Sequence, residues 1–557
     1  MTTPGETRNV ATRLTATAQR MPDATAIAMP AEYGADGQRQ YRTLTFRELD
    51  ETTNRIASSL RRMGVTPGTR LVLMVKPGIE FIALTFGLMK AGAVVVLIDP
   101  GMGIFPMLGC LEEVRPEGFV AISLVQALRN LLFWKFRDSK FNVTVGWRWF
   151  WWGETYEGLL AAGDPHFQAD FTRPDDSAAI IFTTGSTGPA KGVLYSHGNF
   201  WSQVDEIRDF YGIQPGEIDL PGFPLFALFN CAMGVTTVIP DMDFTRPAQA
   251  DPKKILEGAT DWKVTQAFGS PALWNAVGQY CETHQIRIPT LRRVLSAGAP
   301  VPPHVLARMK QAIHPAGDIH TPYGATESLP VASISASEVL GETAAKTARG
   351  AGTCVGRHFP CIDWRVIEIS DGPLATIADC RELPQGEIGE IIVRGPVVTR
   401  EYVTQTEANP LHKIQDGPSF WHRIGDVGYL DEQGRFWFCG RRAHRVRTSA
   451  GEMYTEPCEA VFNTHPSVYR SALVGIGSAG NQRPVIAVEC WPAKKPQSAG
   501  EESKLLEELR VLAQSFPHTA RINDILLHPA LPVDIRHNAK IFREQLAPWA
   551  ASQLGVV

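Results

Sequence analysis

Strand, loop and helix alternate along most of this 557-residue chain, and that alternation predicts an α/β protein. Short apolar runs of strand length recur at residues 71–75, 94–98, 178–182, 264–268 and 293–296. Longer segments with helical spacing, such as 79–91, lie between them. From Gly386 the texture changes to shorter β segments rich in turn residues, and a smaller α/β unit follows Gly440-Arg-Arg-Ala443. The predicted class is α/β with two domains. Residues 1–441 form a large N-terminal domain of parallel-type sheets plus a β-rich subdomain, and residues 442–557 a small, mobile C-terminal α+β lid.

Composition narrows the class. The chain is 44% apolar and 20% charged, as a globular protein with a large core should be. A formal net charge of −4 gives no support to bulk nucleic-acid binding. Nine cysteines are scattered without a C-x-x-C pair, which argues for reduced thiols and against a disulfide framework or zinc site. Residues 1–10 are polar and lack the apolar core of a signal peptide. No run reaches the ~18 apolar residues of a membrane span. These features together predict a cytoplasmic protein.

In chain order, Thr45-Phe-Arg-Glu48 reads as a capping box. Leu49, Ile56, Leu60 and Met63 follow at helical spacing, and Gly64 stops the helix behind Arg61 and Arg62. Strand 71–75, helix 79–91 and strand 94–98 then make the unit of a parallel sheet. Next comes an unusual stretch. Leu124, Val125, Leu128, Leu131 and Leu132 share a helix face, with Arg129, Lys135, Arg137 and Lys140 interspersed. Five of the thirteen tryptophans lie between Trp134 and Trp152. Four readings stand for it: a helix and loop packed on the domain, an interfacial basic-aromatic helix, a wall of a lipid channel, or a docking surface. Further on, strands are predicted at 235–239, 390–393, 428–430 and 436–439, helix 456–463, strands 471–474 and 485–489, and an amphipathic helix around 504–513. Residues 499–502 read as a mobile loop tip.

The stretch that organises the chain is Ile180-Ile-Phe-Thr-Thr-Gly-Ser-Thr-Gly-Pro-Ala-Lys-Gly-Val193. An apolar strand opens into a loop of Gly, Ser and Thr closed by Lys191. Glycines let backbone N–H groups approach an anion, while hydroxyls and an ammonium add donors and charge. It is not a Walker A loop, because Lys191 follows Ala190 and no Ser or Thr comes directly after it.

With Tyr323-Gly-Ala-Thr-Glu327, Trp421-His-Arg-Ile-Gly-Asp426 and Gly440-Arg441 in order behind that loop, the chain resembles the adenylate-forming superfamily of acyl-CoA synthetases, peptide adenylation domains and luciferases. The resemblance implies an ATP- and Mg2+-dependent enzyme. Thr183, Thr184, Gly185, Ser186, Thr187, Gly188 and Lys191 match the family's phosphate loop, and Gly298, Ala299 and Pro300 its adenine-flanking turn. It implies that Tyr323 stacks on adenine and that Thr326 bonds the α-phosphate. Glu327 would hold magnesium, and Asp426 would accept the ribose hydroxyls with help from Arg441. Lys540 falls at the adenylation lysine, whose charge would assist attack on the α-phosphorus.

Departures from the family pattern point within it. Ala227 stands where members often have His, Ile424 where Thr or Ser is usual, and Ala443 where the hinge has Asp or Lys. The glycine pair that lines a pantetheine path is displaced into Thr448-Ser-Ala-Gly-Glu452, and Arg536 and His537 lengthen the lysine motif. These changes weaken the match to CoA transfer. The tryptophan-rich stretch and Val533-Asp-Ile-Arg-His-Asn-Ala-Lys-Ile541 are similar to the β-lactone synthetases of bacterial long-chain olefin biosynthesis. That resemblance implies a long-chain 2-alkyl-3-hydroxy acid whose own hydroxyl displaces AMP, and assembly with other enzymes of the pathway. The alternatives are a long-chain acyl-CoA ligase, an acyl-AMP ligase, or a nucleotide-binding scaffold without catalysis. His197, His422, His444 and His537 lie near motifs, with a structural role the default for each.

Overall fold

The computed structural model describes residues 7–183, 189–533 and 541–556. Its large part is built on two sheets. One has seven strands, in the order Glu154–Thr155, Phe141–Val145, Gly118–Ile122, Arg70–Met74, Val94–Leu97, Ser177–Phe182, Gly192–Ser196. All neighbours are parallel except the last pair, which closes antiparallel around the phosphate loop. The βαβ unit read from the sequence is its centre. Helix Phe46–Arg62 packs nearby, opened by the capping box: Thr45 Oγ1 accepts from Glu48 N at 3.2 Å, and Thr45 N donates to Glu48 Oε2 at 2.8 Å. Leu49, Ile56 and Leu60 are buried, and Gly64 ends the turn at φ +99°, which L side chains rarely adopt.

The second sheet has fourteen hydrogen-bonded strands and changes character midway. Strands Thr236–Val238, Ile218–Pro221, Gln266–Gly269, Arg293–Ser296 and Asp318–Ala325 are parallel neighbours. From Ser328–Ser335 onward the pairing is antiparallel through Thr353–His358, Phe436–Arg441, Ser419–Leu430, Gly389–Arg394 and Asp363–Ile367. The β-rich texture beyond Gly386 is therefore continuous with the parallel half. Thr353–His358 makes the join, pairing with Ser328–Ser335 on one side and Phe436–Arg441 on the other. Strand Gly192–Ser196 of the first sheet is bonded to the segment that follows strand Gly389–Arg394 of the second, where Leu194 N donates to Glu401 O and Val403 N to Gly192 O.

The C-terminal part has its own sheet, with Arg483–Cys490 antiparallel to Val468–Ile476 and parallel to Asp524–Leu527. Side chains alternate across it. Leu473, Ile486 and Val488 join Phe462, Leu505 and Leu509 on one face; Ala472, Val474, Val485 and Ala487 join Leu546 and Ala550 on the other. The loop tip expected at 499–502 is instead the first turn of helix Ala499–Gln514, capped by Ser498 Oγ accepting from Glu501 N. Its Gly and Ser obscure a Ser-x-x-Glu start that is a helix signal.

Two polar features anchor these parts. Asp371 in the large part binds Arg445 at 2.8 Å and Arg447 at 2.7 Å. Deeper, Arg423 and Glu390 form a two-pronged ion pair at 2.6 and 3.1 Å, both side chains 0% exposed. The remaining Arg423 donors go to the carbonyls of Ser370, Gly372 and Leu411. Removing Arg423 leaves buried Glu390 with only its longer contact to Arg442, at 3.4 Å. Arg423→Met should cost about 3–5 kcal/mol, read from the denaturation midpoint. Arg423→Met combined with Glu390→Leu should recover most of the loss. Equal losses in both variants would show that the pairing of charges is not what matters there.

Candidate active site

The carboxyl ends of parallel strands are where open α/β sheets collect ligands, because the loops there splay apart. Thr183 follows strand Ser177–Phe182, the Ala297–Pro300 turn follows Arg293–Ser296, and Tyr323 lies near the end of Asp318–Ala325. Gly298 has φ +95°, so that turn requires a residue without a β-carbon. These ends open into one cavity of about 1980 Å³. Thr183, Lys191, Gly298, Ala299, Pro300, Tyr323, Thr326, Glu327, Asp426 and Arg441 all line it. Thr184, Gly185, Ser186, Thr187, Gly188, His537 and Lys540 lie outside the described residues.

The neck of the phosphate loop is pinned by two bonds: Thr183 N donates to Lys191 O at 3.0 Å, and Lys191 N to Thr183 Oγ1 at 3.1 Å. Tyr323 has a second attachment that the sequence did not show. Its hydroxyl donates to Asp426 Oδ2 at 2.5 Å, and burial raises its pKa well above the usual tyrosine value. Asp426 is buried, which pushes its carboxyl up; Arg441 and the Tyr323 hydroxyl pull it back down. Arg441 Nη1 lies 2.9 Å from Asp426 Oδ1, but the contact falls short of hydrogen-bond geometry, and Oδ1 is a buried acceptor without a hydrogen-bond partner among the described residues. Such an acceptor fits a ligand hydroxyl.

Glu327 is held from beneath by residues the sequence reasoning missed. Tyr402 donates its hydroxyl to Glu327 Oε1 at 2.6 Å. Thr399 donates both N–H and hydroxyl to Glu327 O, at 2.9 and 3.0 Å, and Lys413 Nζ donates to Thr399 O. Tyr195 donates to the Thr326 carbonyl. Tyr402 and Lys413 sit in no motif and are distant in sequence from Glu327, so only the folded chain reveals them. His197 and His422 are structural: both are buried, His197 Nδ1 accepts from Val10 N, and His422 Nδ1 contacts His412 O. His444 lines the cavity.

The far end of the cavity is apolar. Phe226 stacks on Phe268 at 3.6 Å between centroids, and Phe223 and Phe229 adjoin them. Ala227 is buried behind this wall. Among the cavity's lining residues is Cys354, whose thiol burial pushes up to about 12; Cys231, Cys361 and Cys458 are likewise raised to about 12. All nine cysteines are free.

The comparisons with known proteins agree with this geometry. Residues 14–403 match the family of AMP-binding enzymes, and the chain belongs to that family. More particularly, it is 45% identical to the olefin beta-lactone synthetase of Xanthomonas campestris pv. campestris, over 98% of both chains. It is 46% identical to the olefin beta-lactone synthetase of Stenotrophomonas maltophilia, again over 98% of each. Among solved structures, ATP-bound MatB from Rhodopseudomonas palustris shares the fold, with a TM-score of 0.77 at 19% identity, covering 98% of this chain and 99% of that one.

Lys413 supplies a test of the buried support. Burial lowers its pKa from 10.5 to about 7, with Glu327 pulling it back up. Between those values the unfolded chain binds a proton that the folded chain does not, so this group's contribution to stability rises with pH across that window. The stability difference between parent and Lys413→Met should move in the parent's favour as pH rises from about 7 toward the ordinary lysine value. Denaturation midpoints measured across that range check it, and a constant difference would return Lys413 to an ordinary pKa.

Proposed function

We propose that the chain is an ATP-dependent β-lactone synthetase acting in olefin biosynthesis. It adenylates a long-chain 2-alkyl-3-hydroxy acid, and the substrate's 3-hydroxyl then closes the ring. The observation that carries this reading is one cavity joining a nucleotide-type polar end to a phenylalanine-walled end, in a chain whose near-full-length relatives carry that activity in their names.

Tyr323 offers a ring to adenine, flanked by Gly298, Ala299 and Pro300. Asp426 Oδ1 takes a ribose hydroxyl, with Arg441 fixing the carboxylate. Thr183 to Gly188 and Lys191 cradle the phosphates, and Thr326 bonds the α-phosphate. Glu327 fits magnesium: a single carboxylate, steadied through one oxygen by Tyr402, suits a hard ion that takes its other ligands from phosphates and water. Among the described residues no cluster of His, Cys, Asp and Glu could hold a metal alone, as suits an ion arriving with ATP. When bound, magnesium offsets phosphate charge. The acid's carboxylate attacks the α-phosphorus and pyrophosphate leaves. The 3-hydroxyl oxygen then attacks the acyl carbon, its proton passes to solvent, and AMP leaves.

Because the nucleophile is already tethered, no second substrate need bind. Tethering contributes up to roughly 7–11 kcal/mol in well-oriented cases, against which the ring strain must be set. The supply of ATP and the nine unpaired thiols support a cytoplasmic placement.

The discriminating experiment is mass spectrometry of products from ATP, magnesium and a 2-alkyl-3-hydroxy acid, with and without CoA. A β-lactone with AMP and pyrophosphate should form without CoA, and the acid lacking the 3-hydroxyl should stall as a bound adenylate. Rapid turnover of that acid to a thioester only when CoA is present would make the chain an acyl-CoA ligase instead.

The same reading assigns residues 442–557 as a lid that delivers Lys540 to the α-phosphate. Lys540→Ala should leave ATP binding nearly intact and slow pyrophosphate release about 10²–10³-fold, the usual cost of one such electrostatic contact. Near-normal release would remove Lys540, and the lid's delivery of it, from the reaction.

A further inference from the structure

Helix Ser123–Leu131 carries polar as well as apolar side chains on its inner side. Its buried residues are Gln126 and Arg129, not leucines. Gln126 Nε2 donates to the carbonyls of Phe119 and Val143, at 2.8 and 2.9 Å, and Arg129 Nε donates to Gln126 Oε1 at 2.9 Å. This polar underside attaches the helix together with Val125 and Leu132, which pack on the core, while Leu124 and Leu131 are exposed. The following segment behaves alike. Of the aromatic run at 147–152, only Trp151 turns inward, where its Nε1 donates to Thr144 Oγ1 at 2.9 Å. Trp147 and Trp152 are 85% and 92% exposed, and Phe105 on the adjacent helix Ile104–Val114 is 87% exposed. Two links hold these parts together: Ser123 Oγ donates to Trp147 O at 2.5 Å, and Lys135 Nζ binds Glu112 at 2.7 Å. Ten of the nineteen exposed large apolar side chains among the described residues fall between residues 104 and 152.

We propose that this surface seats the protein on an anionic phospholipid bilayer. Three observations favour lipid over a protein partner. First, the most exposed rings project almost fully into solvent. Hot-spot aromatics of protein interfaces sit in packed pockets, whereas Trp and Phe beside cations are the chemistry of the headgroup boundary. Second, the rim beside the rings is basic. Arg137, Lys140 and Arg148 are exposed there with one acid, Asp138, among them, while Lys135 is paired with Glu112 and Arg129 is buried. Anionic headgroups complement that rim. Third, Ile122 and Val125, at the start of the same helix, line the active-site cavity. Resting on the reading that the substrate is a long-chain acid, the surface would let that acid pass from bilayer to cavity without its chains crossing water. No helix of the described residues is long and apolar enough to cross a membrane, so the contact is with one leaflet.

The test is sedimentation of the full-length protein with unilamellar vesicles, of phosphatidylcholine alone or mixed with phosphatidylglycerol. The parent should bind the anionic vesicles, more weakly as salt is raised. Replacing Trp147, Trp149, Phe150 and Trp152 together by Ser should weaken binding at least tenfold without lowering the melting temperature. Should that variant fail to fold, Arg137→Glu with Lys140→Glu carries the test through exposed positions alone. It should weaken binding to the anionic vesicles about fivefold per cation lost. The proposal is overturned if the parent does not sediment with anionic vesicles, or if folded variants bind as the parent does. It is equally overturned if the parent ignores vesicles while the aromatic variant changes the particle mass by light scattering, which would make the surface a protein interface. Vesicle binding is read without turnover, so its failure and failure of the lactone reading are separate results.

Discussion

Strand Ser419–Leu430 is the constraint on which the site depends. Successive side chains of a strand face opposite sides. Here Trp421 and Arg423 face one way, into the cluster with Ile367, Ile392 and Ile414 and onto Glu390. Ile424 and Asp426 face the other way, into the cavity. A slip of one residue would exchange the two sets, burying Asp426 against isoleucines and driving the Arg423 guanidinium into the nucleotide end. The Arg423–Glu390 pair makes that slip prohibitive, because Arg423 donors are satisfied on one face only. Asp426 can therefore be held buried, close to Arg441, at a fixed place. The strand also pairs with Gly389–Arg394 on one side and Phe436–Arg441 on the other, so its register is set twice.

Much of this was legible beforehand for reasons that can be named. The helix after Thr45 announced itself because its cap and stop are local, written within a few residues. The strands before Thr183 and Ala297 were legible because buried parallel strands are short apolar runs between helices. The glycines, Tyr323, Asp426 and Arg441 were found through a family pattern, and ten of the nominated residues line one cavity. What stayed hidden is non-local. That the β-rich segment continues the parallel sheet through Thr353–His358 is a matter of pairing partners, which no window of sequence contains. The Tyr402 hydroxyl under Glu327 comes from 75 residues away.

The aromatic stretch shows the opposite failure. Helical periodicity put Leu124, Val125, Leu128, Leu131 and Leu132 on one face, and the structure splits that face: Val125 and Leu132 pack on the core while Leu124 and Leu131 are exposed. Gln126 and Arg129 satisfy buried backbone and side-chain acceptors and so share the attachment, leaving Leu124 and Leu131 exposed. Periodicity reports which residues share a face; it does not report which face the rest of the protein can satisfy. Ala499 to Glu502 failed differently, because Ser498 and Glu501 form a start signal inside a stretch whose composition looks like a turn.

The raised thiol pKa values acquire a meaning from the product. A β-lactone is a strained acylating agent, and thiolates are the side chains it would attack most readily. Cys354 lies in the wall of the cavity where that ring would form. Burial holds the Cys354 thiol well above its ordinary pKa and so disfavours its thiolate at neutral pH. Cys231, Cys361 and Cys458 are suppressed to the same degree by burial. Burial thus holds these thiols in their less nucleophilic form, Cys354 among them beside the site where a β-lactone would be made.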